Sequence, residues 1–476
     1  MVFSSIYFLL FFLPLFLLVY YLADTKYKNG VILVFSLFFY MWGAPLFVFV
    51  IAGSIIADFY LSHKIYNSDS AKHKKAWLVF SVCLNISILL YFKYANFFIE
   101  NVNELLISLG TTSPIRWTHI ALPIGISFFT FHELSYIIDV YRGLNRPMKR
   151  IWDYAVYILL FPQLIAGPII RYKEIAHQII DRRDQENIDN RLLGFFRFVI
   201  GLTKKVLIAN VLGAEADKIF ALPVAEVSTT TAWIGIIAYS FQIYFDFSGY
   251  SDMAIGIARM IGIVFPENFD NPYISKNITE FWRRWHMSLS RWMRDYLYIP
   301  LGGSRVKTKS RLYFNLWLVF LISGFWHGAS WNFIIWGAYH GLFLIADRLF
   351  LVKITERLGN FVSIVLTYFI VLIGWVFFRA DTLEHSIGFL QRMFAFDFHT
   401  LTLHTSSKTI FIMLIATIFS FFGIFKQVYQ WQHRILLEAP DLRRTISQGA
   451  VSLILLVICV SSLMSSGYNP FIYFRF

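Results

Sequence analysis

The sequence predicts an all-α, polytopic transmembrane protein. Of its 476 residues, 57% are hydrophobic, 19% aromatic and only 15% charged, against about a quarter charged in soluble domains. The apolar residues come in long runs instead of alternating faces, which argues for spanning helices. A β-barrel is excluded, because its strands would show short stretches of alternating polarity. The net charge of +13 calls for no nucleic acid, since cytoplasmic loops rich in Lys and Arg supply it.

The first run, Phe3 to Leu22, has no basic leader and no small-residue cleavage site, so it reads as a retained span rather than a signal peptide. Further runs fall near 31–61, 76–92, 120–138, 152–170, 192–213, 232–260, 313–346, 361–378, 409–425 and 449–464. A full crossing takes about 20 residues, so the run 31–61 does not fit one span. Trp42-Gly43-Ala44-Pro45 splits it, and basic residues flank both ends (Lys26 and Lys28; Lys64, Lys72, Lys74 and Lys75). It reads as a tight hairpin with both ends cytoplasmic, which places the first residues outside. The run 152–170 is also basic on both sides and carries Pro162, Gly167 and Pro168. Broken backbone at membrane depth must be covered by protein or line a cavity, so a re-entrant element is expected. Lys204 and Lys205 interrupt 192–213, which suggests that part of that run lies along the interface. Cys83 and Cys459 sit inside apolar runs and suggest neither a disulfide nor a metal site. With no internal repeat or soluble segment, the chain reads as one membrane domain over 1–476.

The polar stretch 265–312 holds nine Lys and Arg residues, among them Arg283, Arg284, Arg291 and Arg294. That bias makes it cytoplasmic. Trp282, Trp285, Leu289 and Trp292 recur near helical spacing, so an amphipathic interfacial helix is expected. Arginines beside aromatic faces can hold phosphates and stack on planar rings. Positive-inside topology with an aromatic belt explains the same residues without a ligand.

Two histidines stand out. His327, in Ser323-Gly324-Phe325-Trp326-His327-Gly328-Ala329, is an imidazole in an apolar run, and ionisable groups there are costly enough to suggest function. Its titration near neutrality suits a general base, or less readily a nucleophile, in acyl transfer. Gly324, Gly328 and Ala329 would admit a close helix or substrate. His286, in Phe281-Trp282-Arg283-Arg284-Trp285-His286, reads equally as a packed interfacial histidine. Asp246 and Asp252 must be neutralised in their apolar run, by orienting an imidazole or pairing with Arg259 or the basic cluster. His132, Glu133 and Asp139 read as a mutually paired patch. His119, His340, His385, His399 and His404 have no metal-ligand spacing, and no phosphate loop or dinucleotide fingerprint occurs.

These segments resemble the membrane-bound O-acyltransferase (MBOAT) family, in its bacterial alginate O-acetyltransferase branch. The resemblance runs over nearly the whole chain, through Met1-Val2-Phe3-Ser4-Ser5, Pro162-Gln163-Leu164-Ile165-Ala166-Gly167-Pro168-Ile169-Ile170-Arg171 and Tyr244-Phe245-Asp246-Phe247-Ser248-Gly249-Tyr250-Ser251-Asp252. It continues through Phe281 to His286, Arg294-Asp295-Tyr296-Leu297-Tyr298-Ile299-Pro300-Leu301-Gly302-Gly303, Trp326-His327-Gly328-Ala329 and Asn469-Pro470-Phe471-Ile472-Tyr473. It implies a ring of tilted helices around a thinned central tunnel, with His327 as the essential intramembrane histidine and His286 as the second catalytic position. It also implies acetyl-coenzyme A as donor substrate, with no tightly bound cofactor. Arg283, Arg284, Arg291, Arg294 and Trp285 are the candidates to hold it. A periplasmic SGNH-type partner would complete transfer to a polysaccharide, from a multi-pass protein of the bacterial inner membrane. Alginate, cellulose and peptidoglycan stay open as acceptors. D-alanyl transfer to teichoic acids by the same fold is the nearest alternative. A transporter or flippase of lipid-linked sugars is the alternative of another class.

Overall fold

The computed structural model describes residues 1–398, 405–438 and 440–471, and the described residues form helices and connecting segments without strands. Contacts divide it into two compact units, Met1 with Phe12–Arg183 and Val2–Phe11 with Asp184–Phe476. Among the described residues six helices are long and apolar enough to cross a membrane, which makes this a multi-pass membrane protein.

The first unit contains α1 (Leu13–Leu22), α2 (Lys28–Gly43), α3 (Val48–Asn67), α4 (Ala71–Leu89), α5 (Ala95–Ser108), α6 (Ile126–Tyr141), α7 (Ile151–Leu159), α8 (Phe161–Leu164) and α9 (Tyr172–Ile180). The expected break after Trp42 is present: α2 stops at Gly43, and Pro45–Phe47 forms a single 3-10 turn before α3. The run 152–170 is also broken. At ~1.5 Å per residue, the nine residues of α7 reach only about half of a bilayer core, and the chain then turns through α8 and Gly167 at φ 108°.

The patch His132–Glu133–Asp139 is not mutually paired. Glu133 takes the Ser54 hydroxyl at 2.7 Å, His132 Nε2 faces the Ile170 amide at 3.4 Å, and Asp139 accepts from the Lys173 amide at 3.1 Å. Adjacent positions on one helix face different neighbours, so closeness in sequence does not bring these side chains together.

The second unit continues with α10 (Ile188–Thr203), α11 (Asn210–Phe220), α12 (Thr229–Met260), α13 (Ile278–Arg284), α14 (Met287–Met293), α15 (Lys309–His327) and α16 (Trp331–Ala346). It ends with α17 (Val352–Leu358), α18 (Asn360–Arg379), α19 (Leu383–Met393), α20 (Ser407–Phe421), α21 (Lys426–Leu437) and α22 (Leu442–Ser465). Its centre is the antiparallel pair α10 and α12. A Cβ at Gly194 would fall 2.6 Å from the Gly256 carbonyl, and one at Gly201 would fall 2.5 Å from that of Gly249. Only glycine lets the two backbones meet this closely, as small residues do at membrane helix interfaces.

Lys204 and Lys205 are held by carboxylates of α12. They begin a π-helical turn, Lys204–Ala209, that joins α10 to α11. Lys205 pairs with Asp246 at 2.9 Å, and Lys204 with Asp252 at 2.7 Å. Asp252 also meets Arg197, which reaches on to Glu267. The α12 carboxylates are therefore neutralised by α10 and the π turn, while Arg259 donates to Asn190 instead. The terminal motifs meet as well: Ser4 and Asn469 exchange two hydrogen bonds of 3.0 Å, and Tyr250 stacks between Phe3 and Phe471.

Arg259, Arg348, Lys426, Arg443 and Arg444 stand at one end of this unit's helices, where α12 stops, the turn after α16 falls, and α21 and α22 start. The positive-inside rule assigns a basic end of this kind to the cytoplasm. The end carrying Phe220, Thr229, Arg379, Ser407 and Ser465 faces the other way.

Candidate active site

His327 closes α15 at the turn of the α15–α16 hairpin. The turn is tight because Gly324 packs on α16: a Cβ there would lie 2.3 Å from the Phe333 carbonyl and 2.9 Å from Gly337. The glycines beside His327 thus serve helix packing. His327 is buried, and its Nδ1 lies 2.6 Å from the Ser323 carbonyl one turn back. A carbonyl only accepts, so in the neutral ring Nδ1 carries the proton and Nε2 is the basic nitrogen. Trp326, Trp336 and Phe378 surround the ring edge to face at 4.8, 4.9 and 5.5 Å.

The basic stretch is not a single interfacial helix. α13 and α14 are short and separated at Trp285-His286, where His286 takes the left-handed conformation with φ 45°. The break buries His286 and sets it edge-on to Phe247 at 4.6 Å. Its Nδ1 lies 3.1 Å from Asn268 Oδ1, which also accepts from the Ser288 amide and hydroxyl. The backbone amide fixes which Asn268 atom is oxygen, so His286 also presents Nε2 as its basic nitrogen. Burial, reinforced by the nearby His327, holds its pKa well below the ordinary histidine range. The two predicted histidines therefore lie close enough to feel each other's charge.

A cavity of about 180 Å³ is lined by Arg283, Arg294, Trp282, Val319, Phe320 and Ser323, among others. Arg283 is exposed, and Arg294 is half-exposed and touches Asp295 at 2.9 Å. The other three predicted donor-binding residues are engaged elsewhere. Arg284 pairs with Glu280 and Asp270, and Arg291 donates to the Glu267 carbonyl. Trp285 is buried against Phe269, Phe281 and Trp375. Their sequence signal was charge and aromaticity, which does not separate a core ring or a paired guanidinium from a ligand contact.

Sequence reasoning missed Asn268, Trp336 and Phe378. A loop asparagine carries no periodic signal, and an aromatic in an apolar helix reads as core. Among the described residues no three His, Cys, Asp or Glu side chains converge as metal ligands. His399 and His404 lie outside the described residues, as do Ile472 and Tyr473 of the terminal motif.

Comparison with known proteins decides the family. Residues 143–378 match the model of MBOAT, the membrane-bound O-acyltransferase family. A Pseudomonas putida protein named "Probable alginate O-acetylase AlgI" is 41% identical over 493 residues, covering 100% of both chains. The chain belongs to the membrane-bound O-acyltransferase family. A second relative with that name, from Pseudomonas aeruginosa, is 46% identical over 83% of this chain and 75% of its own. A "Peptidoglycan O-acetyltransferase" from Helicobacter pylori is 38% identical over 83% of this chain and 80% of its own. The protein is thus an O-acyltransferase, and both predicted histidines of this MBOAT chain fall inside the matched region.

Proposed function

We propose that this enzyme takes acetyl groups from cytosolic acetyl-coenzyme A and passes them across the bacterial inner membrane to O-acetylate an extracytoplasmic polysaccharide. An alginate-like exopolysaccharide, cellulose or peptidoglycan would be the acceptor, and a periplasmic SGNH-type partner completes the transfer. One observation supports this reading: a single cavity is lined by Arg283, Arg294 and Ser323, and the Ser323 carbonyl holds His327. Cationic groups at the cytoplasmic mouth suit the phosphates of a nucleotide donor. The narrow aromatic wall beyond them suits the thioester and not the nucleotide.

In the reaction, His327 Nε2 accepts the proton of an acceptor hydroxyl as its oxygen attacks the thioester carbonyl. The tetrahedral intermediate collapses, the carbon–sulfur bond breaks, and the imidazolium returns the proton to the leaving thiolate. The Ser323 carbonyl holds Nδ1–H in place, which leaves Nε2 as the nitrogen that takes and returns the proton. His286, kept neutral by burial, positions groups at the thioester without adding a competing charge. Fixed geometry of this kind replaces solvent reorganisation.

The test is thiol release from acetyl-coenzyme A by purified protein in proteoliposomes, beside an acylated carrier protein as alternative donor. Arg283→Gln with Arg294→Gln should raise KM for acetyl-coenzyme A about tenfold, the loss of one to two charge-assisted contacts, and leave kcat nearly unchanged. An unchanged KM, or use of the carrier alone, would overturn the donor assignment.

A further inference from the structure

The second unit holds another cavity at its opposite end. About 200 Å³ in volume, it lies between α11, α20 and α22, with Asn210, Glu215, Lys218, Lys408, Thr409 and Tyr468 in its wall. It lies toward the Phe220, Ser407 and Ser465 ends of these helices, away from Arg443 and Arg444, so it opens on the extracytoplasmic side.

Its wall is polar where the surrounding helices are apolar. Asn210 is only 8% exposed, and its Nδ2 is directed at Tyr468 O and Asn469 Oδ1. Its Oδ1 has no hydrogen-bond partner among the described residues, and a buried amide oxygen in that state calls for a donor. Glu215, also buried, accepts from the Thr405 hydroxyl. Lys218 and Lys408 are exposed at the rim, with Lys218 only 3.9 Å from Glu215. Buried acceptors thus lie inside and ammonium groups stand at the edge. Hydroxyls match the first set, and a carboxylate matches the second.

The cavity is also tied to the catalytic hairpin. The Tyr468 hydroxyl donates to Asp217 at 2.5 Å, and the other oxygen of Asp217 pairs with Arg379 at 2.7 Å. The next residue, Ala380, accepts from Asn332 at 2.6 Å. Asn332 opens α16, just beyond the turn that follows His327.

We infer that this cavity binds a carboxylate-bearing sugar residue of the acceptor glycan, with its hydroxyls on Asn210 and Glu215 and its carboxylate on Lys218 and Lys408. The inference rests on the acetyl-transfer reading only for calling that glycan the acceptor. The membrane enzyme then holds the strand near its outward face and does not leave acceptor recognition wholly to a partner.

The test uses the full chain in phosphatidylcholine nanodiscs without acetyl-coenzyme A. It measures binding of a short oligouronate and of a neutral oligoglucose of equal length by calorimetry. The oligouronate should bind and the neutral sugar should not. Lys218→Gln with Lys408→Gln should weaken binding about tenfold or more. Lys353→Gln, which removes an exposed cation from α17, should leave it unchanged. Equal affinity for both sugars, or equal loss in the rim and α17 variants, would overturn the inference. Binding that follows this pattern in a protein that releases no thiol would sink the acetyl-transfer reading and keep the site.

Discussion

His327 and His340 both pack against one indole, yet only one of them has a defined proton. Trp336 stacks edge-on with His327 at 4.9 Å and with His340 at 5.2 Å, and both imidazoles are buried. His327 donates Nδ1–H to the Ser323 carbonyl, whereas neither ring nitrogen of His340 has a partner among the described residues. His340 is instead walled by Trp282, Trp336 and Tyr339. Burial in an apolar run therefore does not mark a catalytic histidine. The Ser323 carbonyl distinguishes His327 from His340, because it leaves one basic nitrogen in a set direction.

Replacing each histidine is the strongest way to break that contrast. His327→Ala should lower acetyl transfer ~10²–10⁴-fold, the usual contribution of a general base, in protein that still elutes as a folded species. Next in size is Asn268→Leu, which removes the acceptor shared by His286 and Ser288. The lost alignment is worth ~1–3 kcal/mol, or roughly a tenfold to hundredfold fall in kcat, read by steady-state thiol release. His340→Leu keeps volume and loses no hydrogen bond, so it should cost less than about tenfold. A loss as large as that of His327→Ala would show that the tautomer argument is wrong.

The smallest expected effect concerns pH. His286 stays neutral in the folded protein because its pKa is depressed by burial, while in the unfolded chain it titrates near ~6.5. Below that value the unfolded state binds a proton that the native state refuses, so stability falls as pH drops and is fully present above it. Thermal unfolding in detergent should show His286→Asn flattening this acid-side loss.

The two ends of the site differed in how legible they were from sequence. His327 was visible because an imidazole in an apolar run is costly, and the hairpin break was visible because Gly43 and Pro45 interrupt a helix by local backbone rules. The partners of Arg284, Arg291 and Trp285, namely Glu280, Asp270, the Glu267 carbonyl and the Trp375 ring, were not legible because tertiary packing sets them. His132, Glu133 and Asp139 looked like one patch for the same reason. The pairing of Lys205 with Asp246 was hidden too, since it depends on a π turn that leaves no mark in hydropathy.

The most direct measurement is single-turnover acetyl transfer by His327→Gln in proteoliposomes, with acetyl-coenzyme A binding measured in parallel. Glutamine keeps an N–H that can reach the Ser323 carbonyl but has no basic nitrogen. Normal donor binding with transfer reduced at least about a hundredfold is the expected result. Transfer at the native rate would contradict the assignment of His327 Nε2 as the proton acceptor.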